Sequence, residues 1–374
     1  MQRRKEVRSE SEKTSKRKEE HIKICLDKNI EHGSTLLDEI SFWKFEDIDF
    51  IHNALPEVDL EKIDISVEFL GKKLNAPIII SGMTGGAKIA ERINKNLAKA
   101  AENLNLAMGV GSQRAAIENK DLEKTYYVRD VAPNIFLIAN LGVIQLNYGY
   151  GIKEVKRAID MIDANAIALH LNALQEAIQP EGNTNWSGCY EKLKKICESI
   201  KKPVIVKETG CGISKEVAKK IEAAGASAID ISGRGGTSWG IVEMLRRKKA
   251  SNNIIAKEWG IPTAISLLEC LSVTKIPIIA SGGIRNGLEI AKCLALGAIA
   301  CGIALPLLKP ALKSSEEVEN KLKEIIEEIK IAMFLVGAKD IKELRKRPLV
   351  ITGKTKEWAE VREIDIKKLA NRNE

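Results

Sequence analysis

Glycine and small polar residues recur in short groups along this chain of 374 residues, each directly after an apolar run. The groups read Ser81-Gly-Met-Thr-Gly-Gly86, Gly109-Val-Gly-Ser-Gln-Arg114, Asn140-Leu-Gly142, His170-Leu-Asn172, Lys207-Glu-Thr-Gly210, Ser232-Gly-Arg-Gly-Gly-Thr237, Ser281-Gly-Gly-Ile-Arg285 and Gly302-Ile-Ala-Leu305. Glycine lets a backbone approach a phosphate closely, and the N–H groups of a following helix N-terminus favour the anion. Residues 281–285 and 302–305 are therefore a candidate phosphate site, with plain tight turns as the other reading. Lys207 ends an apolar run, where an unpaired ammonium is expensive to bury. It needs a carboxylate, a phosphate or the electron-rich edge of a cofactor; a salt bridge to Glu176 or Glu208 would serve a purely structural role. His170 ends another run, as a core histidine or a catalyst. Gln175 and Glu176 follow it, and one carboxylate plus substrate phosphate oxygens suits magnesium, whereas a solvated loop glutamate is the alternative. Gln113 and Arg114 could bind a second anion, as could Arg17 and Lys18 if the N-terminal segment folds over them.

The apolar runs that must position these groups are residues 77–81, 106–109, 135–139, 166–170, 204–207, 228–231, 277–280 and 298–303. They are short and rich in Ile, Val or Ala, as expected of strands buried on both faces. Helix-like stretches at 88–103, 153–163, 187–200, 214–224 and 286–296 separate them. Eight alternating units with no G-x-G-x-x-G on the first turn predict a closed (β/α)8 TIM barrel over a doubly wound open sheet. Catalytic groups of such a barrel sit at the C-terminal ends of its strands, and phosphate sites commonly follow the last two. The long interval 233–276 predicts an extra loop or helix over the site, and residues 314–335 a helical C-terminal segment. A short strand is expected at 63–69. Two decoys are set aside. Gly353-Lys-Thr355 resembles the end of a P-loop, but Pro348 stands where the first glycine belongs. Cys211 ends a run with no histidine nearby in sequence, and cysteine often acts simply as a small hydrophobe.

Composition leaves the partner open but narrows the class. Lys and Arg number 59 against 51 Asp and Glu, a net +8 that suits phosphorylated small molecules as well as nucleic acid, while 4% aromatic residues are a poor supply for stacking bases. Seven cysteines without a C-x-x-C pair argue against a disulfide framework or a zinc site of usual spacing. With no apolar signal region and no uninterrupted membrane-length run, the expectation is a reduced, cytoplasmic protein with no membrane and no nucleic-acid partner. The first twenty residues alternate Lys and Arg with Glu and read as a solvated tail or frayed helix. The expected division is a charged extension at 1–33 and one barrel domain at 34–374.

Taken together, Ser81-Gly-Met-Thr-Gly-Gly86, Gly109-Val-Gly-Ser-Gln-Arg114, Asn140-Leu-Gly142, His170-Leu-Asn-Ala-Leu-Gln-Glu176, Gly235-Gly-Thr-Ser-Trp239 and Ser281-Gly-Gly-Ile-Arg285 resemble the type 2 isopentenyl diphosphate isomerases, a family of flavin-dependent barrels. The resemblance runs from Arg17 to Gly337. It implies interconversion of isopentenyl and dimethylallyl diphosphate with FMN, magnesium and a reductant such as NADPH, in a symmetric homo-oligomer, a tetramer or an octamer. By the resemblance, Gly82, Met83, Thr84, Ser112, Asn140, Lys207, Thr209, Thr237, Gly283, Arg285, Ala304 and Leu305 hold FMN. Arg17, Lys18, Ser112, Gln113, Arg114 and Gln175 hold substrate, Glu176 holds magnesium, and Gln175 and His170 are the catalytic side chains. Thr209 stands where serine is expected and keeps the hydroxyl. Arg234 stands where a small residue is usual, and either adds a cation near the flavin phosphate or points outward.

Moving a double bond by one carbon needs one proton delivered and another removed, with no net redox change. A strong acid must act beside an unactivated alkene, and few side chains offer that near neutral pH. The resemblance assigns this acid–base work to reduced FMN, with the N-terminal segment ordering over the mouth when substrate binds. Two rivals make different demands. An FMN oxidoreductase for 2-hydroxy acids needs a histidine base and an arginine pair after the later strands. A nucleic-acid-binding protein would be colourless and salt-sensitive, and would leave the glycine-rich strand ends without purpose.

Overall fold

The computed structural model describes residues 2–28, 30–31, 45–247 and 253–372, with side chains from Ser15 onward. The expected domain boundary at 33/34 lies outside the described residues. Eight parallel strands close on themselves: β4 (Ile78–Ile80), β5 (Ala107–Gly109), β6 (Phe136–Gly142), β7 (Ala166–Leu171), β8 (Val204–Glu208), β9 (Ala228–Asp230), β10 (Ile278–Ser281) and β11 (Ala300–Ile303), with β11 pairing back to β4. Each falls within or overlaps one of the eight apolar runs. Ile78, Ile79 and Ile80 are at most 4% exposed, so both faces of this strand are buried. That is why these runs lack polar alternation.

Two small sheets flank the barrel: β1 (Ile48–Phe50) pairs antiparallel with β12 (Leu349–Ile351), and β2 (Val67–Phe69) with β3 (Lys72–Leu74). The strand expected at 63–69 starts four residues late. Asp64 accepts the N–H of Ser66 in a local turn (2.8 Å), which holds the preceding residues out of the ladder.

Helices pack around the barrel. α1 (Gln2–Asp27) precedes it, followed by α2 (Lys88–Leu104), α3 (Arg114–Glu118), α4 (Ile152–Asp160), α5 (Ala173–Ile178), α6 (Cys189–Ser199) and α7 (Lys215–Ala223). The interval before β10 holds α8 (Trp239–Arg246), α9 (Ile254–Glu258) and α10 (Thr263–Leu271). The chain continues with α11 (Gly287–Leu296), α12 (Leu305–Lys313), the long α13 (Ser315–Leu335), α14 (Ile341–Leu344) and α15 (Gly353–Val361). Among the described residues no helix is long and apolar enough to cross a membrane.

Of the two readings of the N-terminal segment, solvated tail or frayed helix, the structure gives the helix, packed and not frayed over its described side chains. α1 packs against α3, α8 and α12 at the C-terminal rim of the barrel. Its charged first half hides an apolar edge that begins late: His21 and Ile22 are each 5% exposed. Tertiary packing, rather than the helix's own weak amphipathicity, holds it there.

Besides the β1–β12 pairing, one buried carboxylate helps tie down the C-terminal segment. Glu269 on α10 is 1% exposed and accepts from the Lys215 backbone N–H (2.9 Å), Trp358 Nε1 (2.9 Å) and Arg362 Nε (2.7 Å). Glu269→Ala removes the acceptor of four hydrogen bonds, three of them from Trp358 and Arg362 on or just after α15. It is expected to destabilise the fold by about 2–4 kcal/mol in urea unfolding. A loss within experimental error would mean that water replaces the carboxylate.

Candidate active site

The strand ends and α1 enclose two adjoining chambers. The larger, about 1300 Å³ counted to its open mouth, is lined by Gly82, Met83, Thr84, Ser112, Asn140, Lys207, Thr209, Thr237, Gly283, Arg285, Ala304 and Leu305. The smaller, about 520 Å³, is lined by Arg17, Arg114, Asn172 and Glu176. Lys18, His21, Ser112, His170 and Gln175 line both. Of the residues that the resemblance assigns to FMN, substrate, magnesium or catalysis, only Gln113 lines neither.

Gln113 is fully buried and already engaged. Its Oε1 accepts the Asn140 N–H (2.8 Å) and its Nε2 donates to the Ala158 carbonyl (2.8 Å). It therefore joins the α3 turn to β6 and α4, so a substrate contact from its side chain is not what the structure provides. Neighbours in a tight turn point to opposite sides, which sends Ser112 and Arg114 to the chambers and Gln113 inward.

The larger chamber has a floor of bare backbone. A Cβ on Gly82 would lie 2.1 Å from the Val110 carbonyl oxygen. Gly283 has φ +80°, and a Cβ there would lie 2.2 Å from the Gly235 carbonyl oxygen. No side chain fits at either position. At one wall α12 begins without a side-chain cap, because its N-cap residue is Ala304. Pro306 has no N–H and the Leu307 N–H already meets the Ala304 carbonyl (2.9 Å), so the Leu305 N–H is the first-turn donor that faces an anion here. Thr84 Oγ1 is buried without a hydrogen-bond partner among the described residues, a further polar atom suited to a ligand. Arg285 pairs closely with Glu31, and Arg234 donates Nη1 to the Glu258 carbonyl (2.8 Å), so Arg234 braces the α9 turn and lies off the chamber wall.

Lys207 Nζ donates to the Glu208 carbonyl (2.8 Å) and lies 3.8 Å from Asp230 Oδ2. Its carboxylate partner is thus Asp230, a residue the sequence reading passed over, and not Glu176 or the Glu208 side chain. Glu208 instead accepts the backbone N–H groups of Thr209 (2.6 Å), Gly210 (2.6 Å) and Cys211, pinning the loop that carries Thr209. Burial pushes its carboxyl up to about 7 against those bonds. Burial also raises the Cys211 thiol, with Glu208 adding to the effect, which leaves no reactive thiolate there.

His170 Nδ1 lies 2.8 Å from Asn140 Oδ1, while Asn140 Nδ2 donates to the Val110 carbonyl (3.0 Å). That second bond fixes the amide, so Nδ1 carries the hydrogen and Nε2 a lone pair. Burial, with Lys207 and Lys18 nearby, lowers His170 to about 3. The ring is neutral at physiological pH and cannot be a resting proton donor from Nε2.

The smaller chamber gathers cations. Burial and Arg17 bring Lys18 down to about 8. Arg17 Nη1 meets Glu181 (3.3 Å), and Arg114 Nε meets Glu118 (2.7 Å). Glu176 accepts from Asn172 Nδ2 (2.9 Å) and the Asn183 N–H (2.6 Å), and Asn172 Oδ1 is buried without a partner among the described residues. No cluster of three or more His, Cys, Asp or Glu that could hold a metal exists among the described residues. Glu176 and the orphaned amide oxygen fit a hard cation that takes its other oxygens from a substrate.

His21 and Glu243 were missed in the sequence. His21 Nε2 lies 3.0 Å from Glu243 Oε1. Although burial opposes it, the adjacent His21 ring and the hydrogen bond from Arg246 Nε (2.7 Å) hold Glu243 at about 2. Glu243 also accepts from Gln175 Nε2 (3.2 Å), so one buried carboxylate ties α1, α5 and α8 together. The i, i+3 and i, i+4 spacing of Lys18, Arg17 and His21 on one helix was the available signal.

A closed ring of eight parallel strands with glycine-rich loops lining a chamber at their C-terminal ends defines the class of (β/α)8 barrels whose site lies at that rim. A family model described as FMN-dependent dehydrogenase matches residues 20–129 and 153–351. An active mutant of (S)-mandelate dehydrogenase shares the fold with a TM-score of 0.61 at 19% identity, covering 82% of this chain and 89% of that one. A mandelate oxidase with benzoyl-formic acid does so at 0.58 and 18%, covering 86% and 91%. Nearer in sequence, the isopentenyl-diphosphate delta-isomerase of Pyrococcus furiosus is 53% identical over 97% of this chain and 93% of its own length. Those of Thermococcus kodakarensis and Methanosarcina mazei are 50% and 46% identical, over 92% and 96% of this chain and 94% and 97% of theirs. The chain belongs to the FMN-dependent, type 2 isopentenyl-diphosphate delta-isomerase family.

The lowered pKa of His170 has a consequence for stability. Below pH ~6.5 the unfolded chain takes up a proton that the folded chain refuses until about 3, so stability falls as pH drops through this window. Between pH 7.5 and 5 this contributes about 1–2 kcal/mol of loss. Urea unfolding of His170→Gln should show a shallower pH dependence by that amount; equal slopes would place a charged imidazole in the folded chamber.

Proposed function

We propose that the chain interconverts isopentenyl and dimethylallyl diphosphate, with FMN in the larger chamber, the diphosphate in the smaller, and magnesium held by Glu176 together with phosphate oxygens. The observation that carries this reading is the junction of the two chambers at His170 and Gln175, one walled by glycine backbone and an uncapped helix, the other by three cations and a carboxylate. Gly82, Met83, Thr84, Asn140, Lys207, Thr209, Thr237, Gly283, Arg285, Ala304 and Leu305 wall the FMN chamber. When bound and reduced by NADPH, FMN supplies the acid–base chemistry that the alkene requires.

The remaining work falls to the chain's own side chains. Arg17, Lys18 and Arg114 anchor the diphosphate, with Arg17 and Arg114 exchanging their present glutamate partners for phosphate oxygens. Binding energy from that end then aligns the hydrocarbon end at the junction. His170, neutral and fixed by Asn140, presents a lone pair on Nε2 that can accept a hydrogen bond but neither takes up nor supplies a proton near neutral pH. Gln175, held by Glu243, orients groups at the same junction. Ile22 and Cys25 of α1, with Trp239 of α8, add apolar wall to the mouth and limit water beside a developing cation. A cytoplasmic location and a tetramer or octamer complete the proposal; seven free thiols suit a reducing compartment.

The test is anaerobic incubation of the reduced, FMN-loaded protein with isopentenyl diphosphate and magnesium in D₂O. Dimethylallyl diphosphate carrying deuterium, with no net flavin oxidation, is the expected result. Unlabelled product, or one flavin oxidised per turnover, contradicts the proposal.

A further inference from the structure

Asp230 is a carboxylate inside an apolar barrel. It ends β9, in register with Lys207 on β8 and Ile279 on β10. Its neighbours in sequence, Ile229 and Ile231, are fully buried on the other side of the strand, so Asp230 alone of the three points into the barrel. There it borders a small void just below the larger chamber, together with Ile79, Ile138, Ile205 and Ile279. Its side chain is 9% exposed. Removing a carboxylate from water in such surroundings is unfavourable unless partners compensate it. Two do. Oδ2 faces the Lys207 ammonium at 3.8 Å, and Oδ1 accepts a short hydrogen bond from Ser281 Oγ.

Those contacts have consequences at the chamber floor. The 3.8 Å separation from Lys207 is a charge contact and not a hydrogen bond, while the Glu208 carbonyl takes one of the ammonium's three hydrogens. Lys207 therefore keeps donors for a ligand above it while its charge is balanced from below. Ser281, which opens the glycine loop, gives its hydrogen downward to Asp230.

We propose that Asp230 is a positioning residue that acts as the counter-charge of Lys207, and so sets the net charge the protein presents at the floor of the cofactor chamber. This rests on the reading that the chamber takes FMN. Balanced by Asp230, Lys207 offers a hydrogen bond with little net positive potential. Unbalanced, it would favour forms of the flavin that carry added negative charge.

Sulfite is the probe, because its binding to oxidised flavin places negative charge on the ring and bleaches the visible band. Asp230→Asn keeps an acceptor for Ser281 but removes the charge. It is expected to bind sulfite about tenfold more tightly and to raise the two-electron potential by the equivalent, about 30 mV. Lys207→Met should shift both in the opposite direction by a similar factor. The double variant, which removes a neutral pair, should lie within about twofold of the native protein. Unchanged sulfite affinity in Asp230→Asn, even with lowered thermal stability, overturns the proposal and leaves Asp230 a structural residue. If that variant does not fold, an unshifted Lys207→Met overturns it equally. If the native protein binds no FMN, no visible band is present to read, and it is the functional reading that has failed.

Discussion

Cations drawn partly or wholly out of water at one rim are the constraint on which the rest of the site depends. Lys18 is buried enough to fall to about 8, Lys207 has a side chain 13% exposed, and Arg17 one 16% exposed. A fold leaves charges in such places only where something compensates them. Asp230 balances Lys207 from within the barrel, and Glu181 and Glu118 hold the two arginines at the surface. The compensation is uneven: the wall facing the chambers is left with more positive charge than its own carboxylates meet. An anion of the right shape completes it.

Closure of the barrel makes this arrangement possible. Eight strands brought into a ring deliver eight loops to one rim, and α1 lies across them as a strap. That strap is held less by its own helical propensity than by His21 meeting Glu243, which also receives Gln175 and Arg246. The same carboxylate thus organises the lid, the loop after β7 and the inserted α8. Neutral His170 fits the scheme: among several cations, a second titrating charge at the junction would only add repulsion.

Much of this was legible in the sequence, for physical reasons that also mark where legibility ends. Strands buried on both faces write themselves as apolar runs, and loops that approach a ligand through backbone write themselves as glycine, so the barrel and the floor of the larger chamber could be read directly. The α1 strap was legible only as a condition on Arg17 and Lys18 meeting an anion, because its apolar edge starts only at Ile22, after twenty residues dominated by charge. Gln113 misled by adjacency: sitting between Ser112 and Arg114 in sequence does not place it beside them in space. Asp230 was hidden inside an apolar run, where only the inward parity of β9 distinguishes it from Ile229 and Ile231. Arg234 was ambiguous in sequence because its destination, the Glu258 carbonyl, belongs to a helix 24 residues away.

The central claim is that the larger chamber, floored by glycine backbone and by Lys207, is built to take one FMN. Fluorescence titration of flavin-free protein with FMN tests it most directly. Saturable quenching of flavin emission at one FMN per chain is expected, with riboflavin, which lacks the phosphate for the α12 end, binding at least about tenfold more weakly. No saturable binding of FMN, or equal affinity for riboflavin, would contradict it.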